Sequence, residues 1–214
     1  MGAQGAEGAR VPMLSGMPIA EWLFTVYLGG AHTMSAPLTF SSTAFASVDF
    51  RGESWRAPVY YGYRVSYFPR AGTAIGVEAE FTHLKVYANL PAGDRVQRFS
   101  MSHGLNLILL DVAARRTLHR TVRGPLRLGA RAGAGPTIPH VESTIGGVSE
   151  DQYEWGSIAL HAGAGLEIPV ARHASVIAEY RLTRTHEHVD VTGGTADGVF
   201  LSHHAIAGLE WRSR

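Results

Sequence analysis

Eight stretches of this chain alternate apolar side chains with glycine or charge at period two, and no sustained helical stripe interrupts them. In the first, Trp22, Phe24, Val26 and Leu28 alternate with Leu23, Thr25, Tyr27 and Gly29. The second sets Val59, Tyr61, Tyr63 and Val65 against Tyr60, Gly62, Arg64 and Ser66, and the third sets Ile75, Val77, Ala79 and Phe81 against Gly76, Glu78, Glu80 and Thr82. In the fourth, Leu105, Leu107 and Leu109 oppose Gly104, Asn106 and Ile108. The remaining four centre on Ala130, Ala162, Tyr180 and Ala207, with Arg131, His161, Arg181 and Gly208 on their other faces.

One face of these runs is apolar and aromatic, while the other carries glycine and both signs of charge. A water-soluble barrel would put the apolar face inside. Here the charged face must line a lumen and the apolar face must meet lipid, which predicts an all-β, eight-stranded antiparallel up-and-down transmembrane β-barrel. An eight-stranded barrel is only wide enough to be filled by side chains. Arg64, Glu78, Glu80, Arg131, Glu167, Glu179, Arg181 and Glu210 are therefore expected to pair inside it, because an unpaired buried charge is costly. His161 is expected beside an interior carboxylate.

Composition agrees with this class and excludes others. With Lys+Arg 19 against Asp+Glu 18 there is no bulk field to favour nucleic acid. The absence of cysteine excludes disulfides and thiolate metal sites. No stretch approaches the roughly 18 apolar residues of a membrane helix, a signal that barrel strands do not give. Residues 1–17 are Gly/Ala-rich and lack the apolar core of an export signal, so they are expected to be a flexible N-terminal segment, with 18–214 the barrel. An exported protein of this kind belongs in the bacterial outer membrane, in contact with lipid and lipopolysaccharide, with envelope proteins as further partners.

Connection lengths set its orientation. Tight links at Pro69–Thr73 and Ala171–Ala174 contrast with longer ones at His32–Ser54, Asn89–Met101, Ser143–Gln152 and Thr192–Val199. Short turns mark the periplasmic end and long loops the outer end. Arg115–Pro125 is too long for its expected place at a tight turn, and Pro136 and Pro139 suggest a bulge or a fraying strand top.

Histidines gather at the loop end: His32, His83, His103, His140, His186, His188, His203 and His204. Continued alternation puts His83, Lys85, His103, His140 and Glu142 on the lipid-facing side of three neighbouring strands. They lie roughly 25 Å above the short turns for strands rising ~3.3 Å per residue and tilted ~40°. Imidazole and carboxylate suit one divalent metal ion, and a lysine beside them suits a lipid A phosphate. Taken singly, such side chains are ordinary headgroup contacts of an interface belt. A catalytic serine is excluded, since Ser102-His103 and Ser202-His203 are consecutive residues pointing to opposite faces of a strand. No catalytic residue is assigned from the pattern itself.

The segments EFTHLKVYA (Glu80–Ala88), HGLN (His103–Asn106) and AGAGPTIPHVE (Ala132–Glu142), with AEYR (Ala178–Arg181) and SHH (Ser202–His204), resemble the lipid A oxidase-like barrels of rhizobia. These belong to the small opacity-protein and OmpA-like class, and the likeness runs from Trp22 to Arg212. The resemblance implies an oxygen-dependent, metal-assisted oxidation of the proximal glucosamine of lipid A. It also implies that His83, His103, His140 and Glu142 serve as metal or proton-transfer groups, and that Lys85 contacts phosphate. The alternative is a non-enzymatic barrel that anchors the envelope, binds a surface ligand or scaffolds other proteins.

Overall fold

A computed structural model describes residues 20–70 and 72–213; the N-terminal segment 1–17 lies outside the described residues. The described chain forms one antiparallel sheet of eleven strands. They are β1 (Glu21–Thr33), β2 (Ala36–Phe40), β3 (Thr43–Arg51), β4 (Tyr61–Phe68), β5 (Ile75–Asn89) and β6 (Val96–Thr121). There follow β7 (Gly124–Ile145), β8 (Val148–Tyr153), β9 (Ile158–Ala171), β10 (Ala174–Val191) and β11 (Gly194–Arg212). Pairings pass from β1 through β4, β5, β6, β7, β9 and β10 to β11, which pairs with β1 again.

Eleven strands are present where eight are expected. Segments expected to be loops have become strands: β2 and β3 bridge β11 to β5, and β8 folds back on β7. The Arg115–Pro125 link is likewise strand, because β6 runs on to Thr121 and turns back at Val122–Arg123. At the end where β1 starts and β11 finishes the connections are tight. At the opposite end the sheet extends upward as long ladders.

Side chains alternate as a lipid-facing wall requires. Trp22, Phe24 and Leu28 on β1, Tyr63 on β4, Val77 on β5, Leu160 on β9, Tyr180 on β10 and Trp211 on β11 are exposed. A soluble monomer rarely shows a continuous apolar surface beyond a few hundred Å². Strand β6 reverses the expected parity. Leu105, Leu107 and Leu109 are at most 1% exposed and face inward, while Ile108, Leu110 and Val112 face out. The run Leu107–Leu110 is apolar on both faces, so alternation alone leaves its register open; Asp111 and Arg115, on the same side as the three leucines, fix it, and both are buried.

The interior has two tiers. In the lower, Arg64 Nε donates to Glu80 Oε2 at 2.6 Å and its Nη2 to Glu179 Oε1 at 3.1 Å. Arg131 Nε donates to Glu78 Oε2 at 2.7 Å, and Arg181 holds both Glu80 and Glu179. Arg127 pairs with Glu167 at 3.4 Å, and His161 Nδ1 lies 3.1 Å from Asp111 Oδ1. Glu210 departs from the expected network: among the described residues it has no ion pair, and its Oε1 has no hydrogen-bond partner. The upper tier is apolar. Phe40, Phe50, Leu84, Phe99, Met101, Leu105, Val141, Val189 and Phe200 pack there as one buried cluster.

Candidate functional site

The structure brings together three of the four expected metal-site residues, and an irregularity in β6 is the reason. Leu84 and Val86, two residues apart on β5, face Leu105 and Met101, four apart on β6. On the other flank Ser100 and Leu105 face Glu142 and Pro139, so β6 again carries extra residues. Gly104 absorbs the bulge at φ +117°, a region open to glycine but not to most side chains. Bulges re-aim side chains. Here the extra residues turn His103, which simple parity would send inward with Met101 and Leu105, onto the outer wall beside Glu142.

Strand β7 supplies the other two. His140 and Glu142 continue the outward side of Leu128 and Ala130, and the β7–β8 hairpin opposes them with Tyr153 and Asp151. Ligand atoms of His103, His140 and Glu142 all lie within 4.8 Å of one another. His103 Nδ1 is 2.9 Å from Glu142 Oε1, and His140 Nδ1 is 3.6 Å from the same oxygen. Glu142 Oε2 accepts from Arg98 and, at 3.3 Å, from Ser100 Oγ; Ser102 Oγ donates to Oε1. His140 Nε2 lies 3.5 Å from Asp151 Oδ2, and its ring packs 4.2 Å from that of Tyr153.

The cluster opens on a cleft of about 400 Å³ lined also by Thr144, Ser149 and Glu150. Desolvation holds the His140 imidazole below its ordinary pKa, His103 adds to the effect, and Asp151 opposes it. The ring is therefore neutral near pH 7, the state in which imidazole ligates. Two imidazoles and a carboxylate fit a divalent ion by donor chemistry.

His83 and Lys85 are not part of this group. His83 Nδ1 is 2.9 Å from Asn106 Oδ1, and its ring stacks on Tyr61 at 5.0 Å. Lys85 is buried, with Nζ donating to the Arg56 carbonyl at 2.9 Å, so the residue 52–60 link covers it from outside. This geometry gives Lys85 no open face toward a phosphate. A second histidine pair, His186 and His188 around Asp197, is exposed on β10 and β11. Sequence reasoning named Ser102 only to exclude it as a nucleophile and did not find Ser100, Arg98 or Asp151; the period-two pattern gives no signal for residues that bulges and hairpins bring together.

No protein-family model and no curated protein matches this chain. Among solved structures, the outer membrane protein OprG from Pseudomonas aeruginosa is 10% identical with a TM-score of 0.56, covering 93% of this chain and 98% of that one. The N-terminal β-barrel domain of Pseudomonas aeruginosa OprF is 14% identical with a TM-score of 0.45, covering 92% of this chain and 100% of that one. At these identities the likeness to OprG is one of fold. Fold and apolar wall together define a small outer-membrane-type β-barrel.

Proposed function

We propose that this chain sits in the bacterial outer membrane as an eight-stranded transmembrane barrel and acts as a non-conducting surface scaffold that binds ligands at its loop end. The eight strands are those of the closed pairing circuit, with β2, β3 and β8 as outer additions. The tight turns face the periplasm and the extended ladders face outward. The filled interior supports this reading: buried ion pairs occupy one tier and packed apolar side chains the other. Planar-bilayer recordings of the refolded protein test it. No stepwise current is expected, and reproducible channel steps would remove the reading.

A second reading, oxygen-dependent oxidation of the proximal glucosamine of lipid A, is favoured by one observation. His103, His140 and Glu142 converge beside a cleft on the outer wall at the loop end of β6 and β7. Mass spectrometry of lipid A from cells with and without the protein separates the two readings. A gain of one oxygen supports the enzyme; identical lipid A supports the scaffold.

A further inference from the structure

We infer that His103 Nδ1, His140 Nδ1 and Glu142 Oε1 form a three-ligand centre for one divalent first-row transition-metal ion, with its remaining positions open to the cleft. The assignment holds whether or not the barrel acts on lipid A. Its strongest support is His140, whose side chain is nine-tenths buried while Nδ1 has no hydrogen-bond partner and points at Glu142. A buried polar atom left unpaired costs free energy that a bound cation recovers.

The surroundings also have the form of ligand support. Asp151 lies against the far nitrogen of His140, the usual way a carboxylate fixes ring orientation and leaves the other nitrogen to ligate. Arg98 and Ser100 hold one oxygen of Glu142, while the other, which accepts from Ser102 Oγ, faces the two rings. Nitrogen and carboxylate donors with open positions select zinc-, iron(II)- or cobalt(II)-like ions over calcium and magnesium, which prefer oxygen ligands alone. Among the described residues this is the one histidine–carboxylate group whose ligand atoms converge. The His186–His188–Asp197 set has ordinary exposed pairing and serves as the control.

Titration of the untagged, folded barrel with zinc(II) by calorimetry, and with cobalt(II) by visible absorption, tests the assignment. One ion per chain and cobalt d–d bands are expected. The near-isosteric Glu142→Gln and His140→Ala should each abolish binding, and Asp151→Asn should weaken it about tenfold. His186→Ala with His188→Ala should leave it unchanged. Circular dichroism and heat-modifiable gel mobility establish that every variant is folded. A folded wild type that binds neither ion overturns the centre, as does binding that survives Glu142→Gln and His140→Ala or that disappears with the β10 histidines.

Discussion

At the scale of single residues, the interior separates charges that hold the barrel together from one that does not. Arg181 is fully buried and bonds to Glu80, Glu179 and the Tyr27 hydroxyl, tying β10 to β5 and β1 across the lumen. Arg181→Ala would leave Glu80 to Arg64 alone and Glu179 to Arg64 and Arg131, and removing one partner from a buried charge network costs up to about 3–5 kcal/mol. Urea unfolding in lipid vesicles should show that loss. Glu210→Gln removes no ion pair and should shift the unfolding midpoint far less. Equal losses in the two variants would mean that the lattice does not carry stability as described.

At the scale of elements, β6 decides where chemistry can occur. Its bulge depends on Gly104, where a Cβ would meet His83 Nδ1 at 2.5 Å and Asn106 Oδ1 at 2.6 Å in addition to the positive φ. Gly104→Val should therefore straighten the strand, return His103 to the inward parity, and cost zinc affinity while the barrel remains folded. His83→Ala, by contrast, should leave zinc binding intact in the same calorimetric titration. The facing of β6 has its own test, because the chain has no cysteine to interfere with single-cysteine labelling. A bimane on Leu110→Cys should be quenched by brominated lipid, and one on Leu107→Cys should not.

The same strand marks the limit of what the sequence discloses. In β1, β5 and β10, glycine and charge alternate with bulk, so the facing of Trp22, Glu80 and Arg181 can be read directly from the pattern. In β6 both faces are leucine-rich, and only Asp111 and Arg115 further along distinguish inside from outside. His140 and Glu142 are legible as an outward pair because β7 alternates regularly up to them. Alternation also sends His103 outward, but on the parity that β6 reverses at Leu105–Leu109; the extra residues on β6, which alternation does not register, restore its facing. The tertiary cover over Lys85, supplied by the distant 52–60 link, is equally invisible to it.

At the scale of the whole molecule, the proposed non-conducting barrel would be sealed by different physics in its two interior tiers, which makes their contributions separable. The lower tier would exclude ions because most of its charges are paired around Arg64, Arg131 and Arg181, Glu210 being the exception, and because it is closely packed: a Cβ at Gly133 would fall 2.1 Å from Asp111 Oδ1. The upper tier would exclude ions by dryness, with Phe40 and Phe99 packed edge to face at 5.5 Å and Phe50 and Phe200 at 5.2 Å. Either barrier alone should suffice, since an ion entering an apolar constriction sheds its water without compensation. Replacing Arg64 and Arg181 with alanine should thus weaken the fold yet leave planar bilayers silent. Replacing Phe99 and Phe200 with alanine should do the same for the opposite reason. Only the quadruple variant, once shown by gel mobility to be folded, should pass current. Conductance in the arginine pair alone would show that the apolar cap is open to water and that the barrel is held shut by its salt bridges.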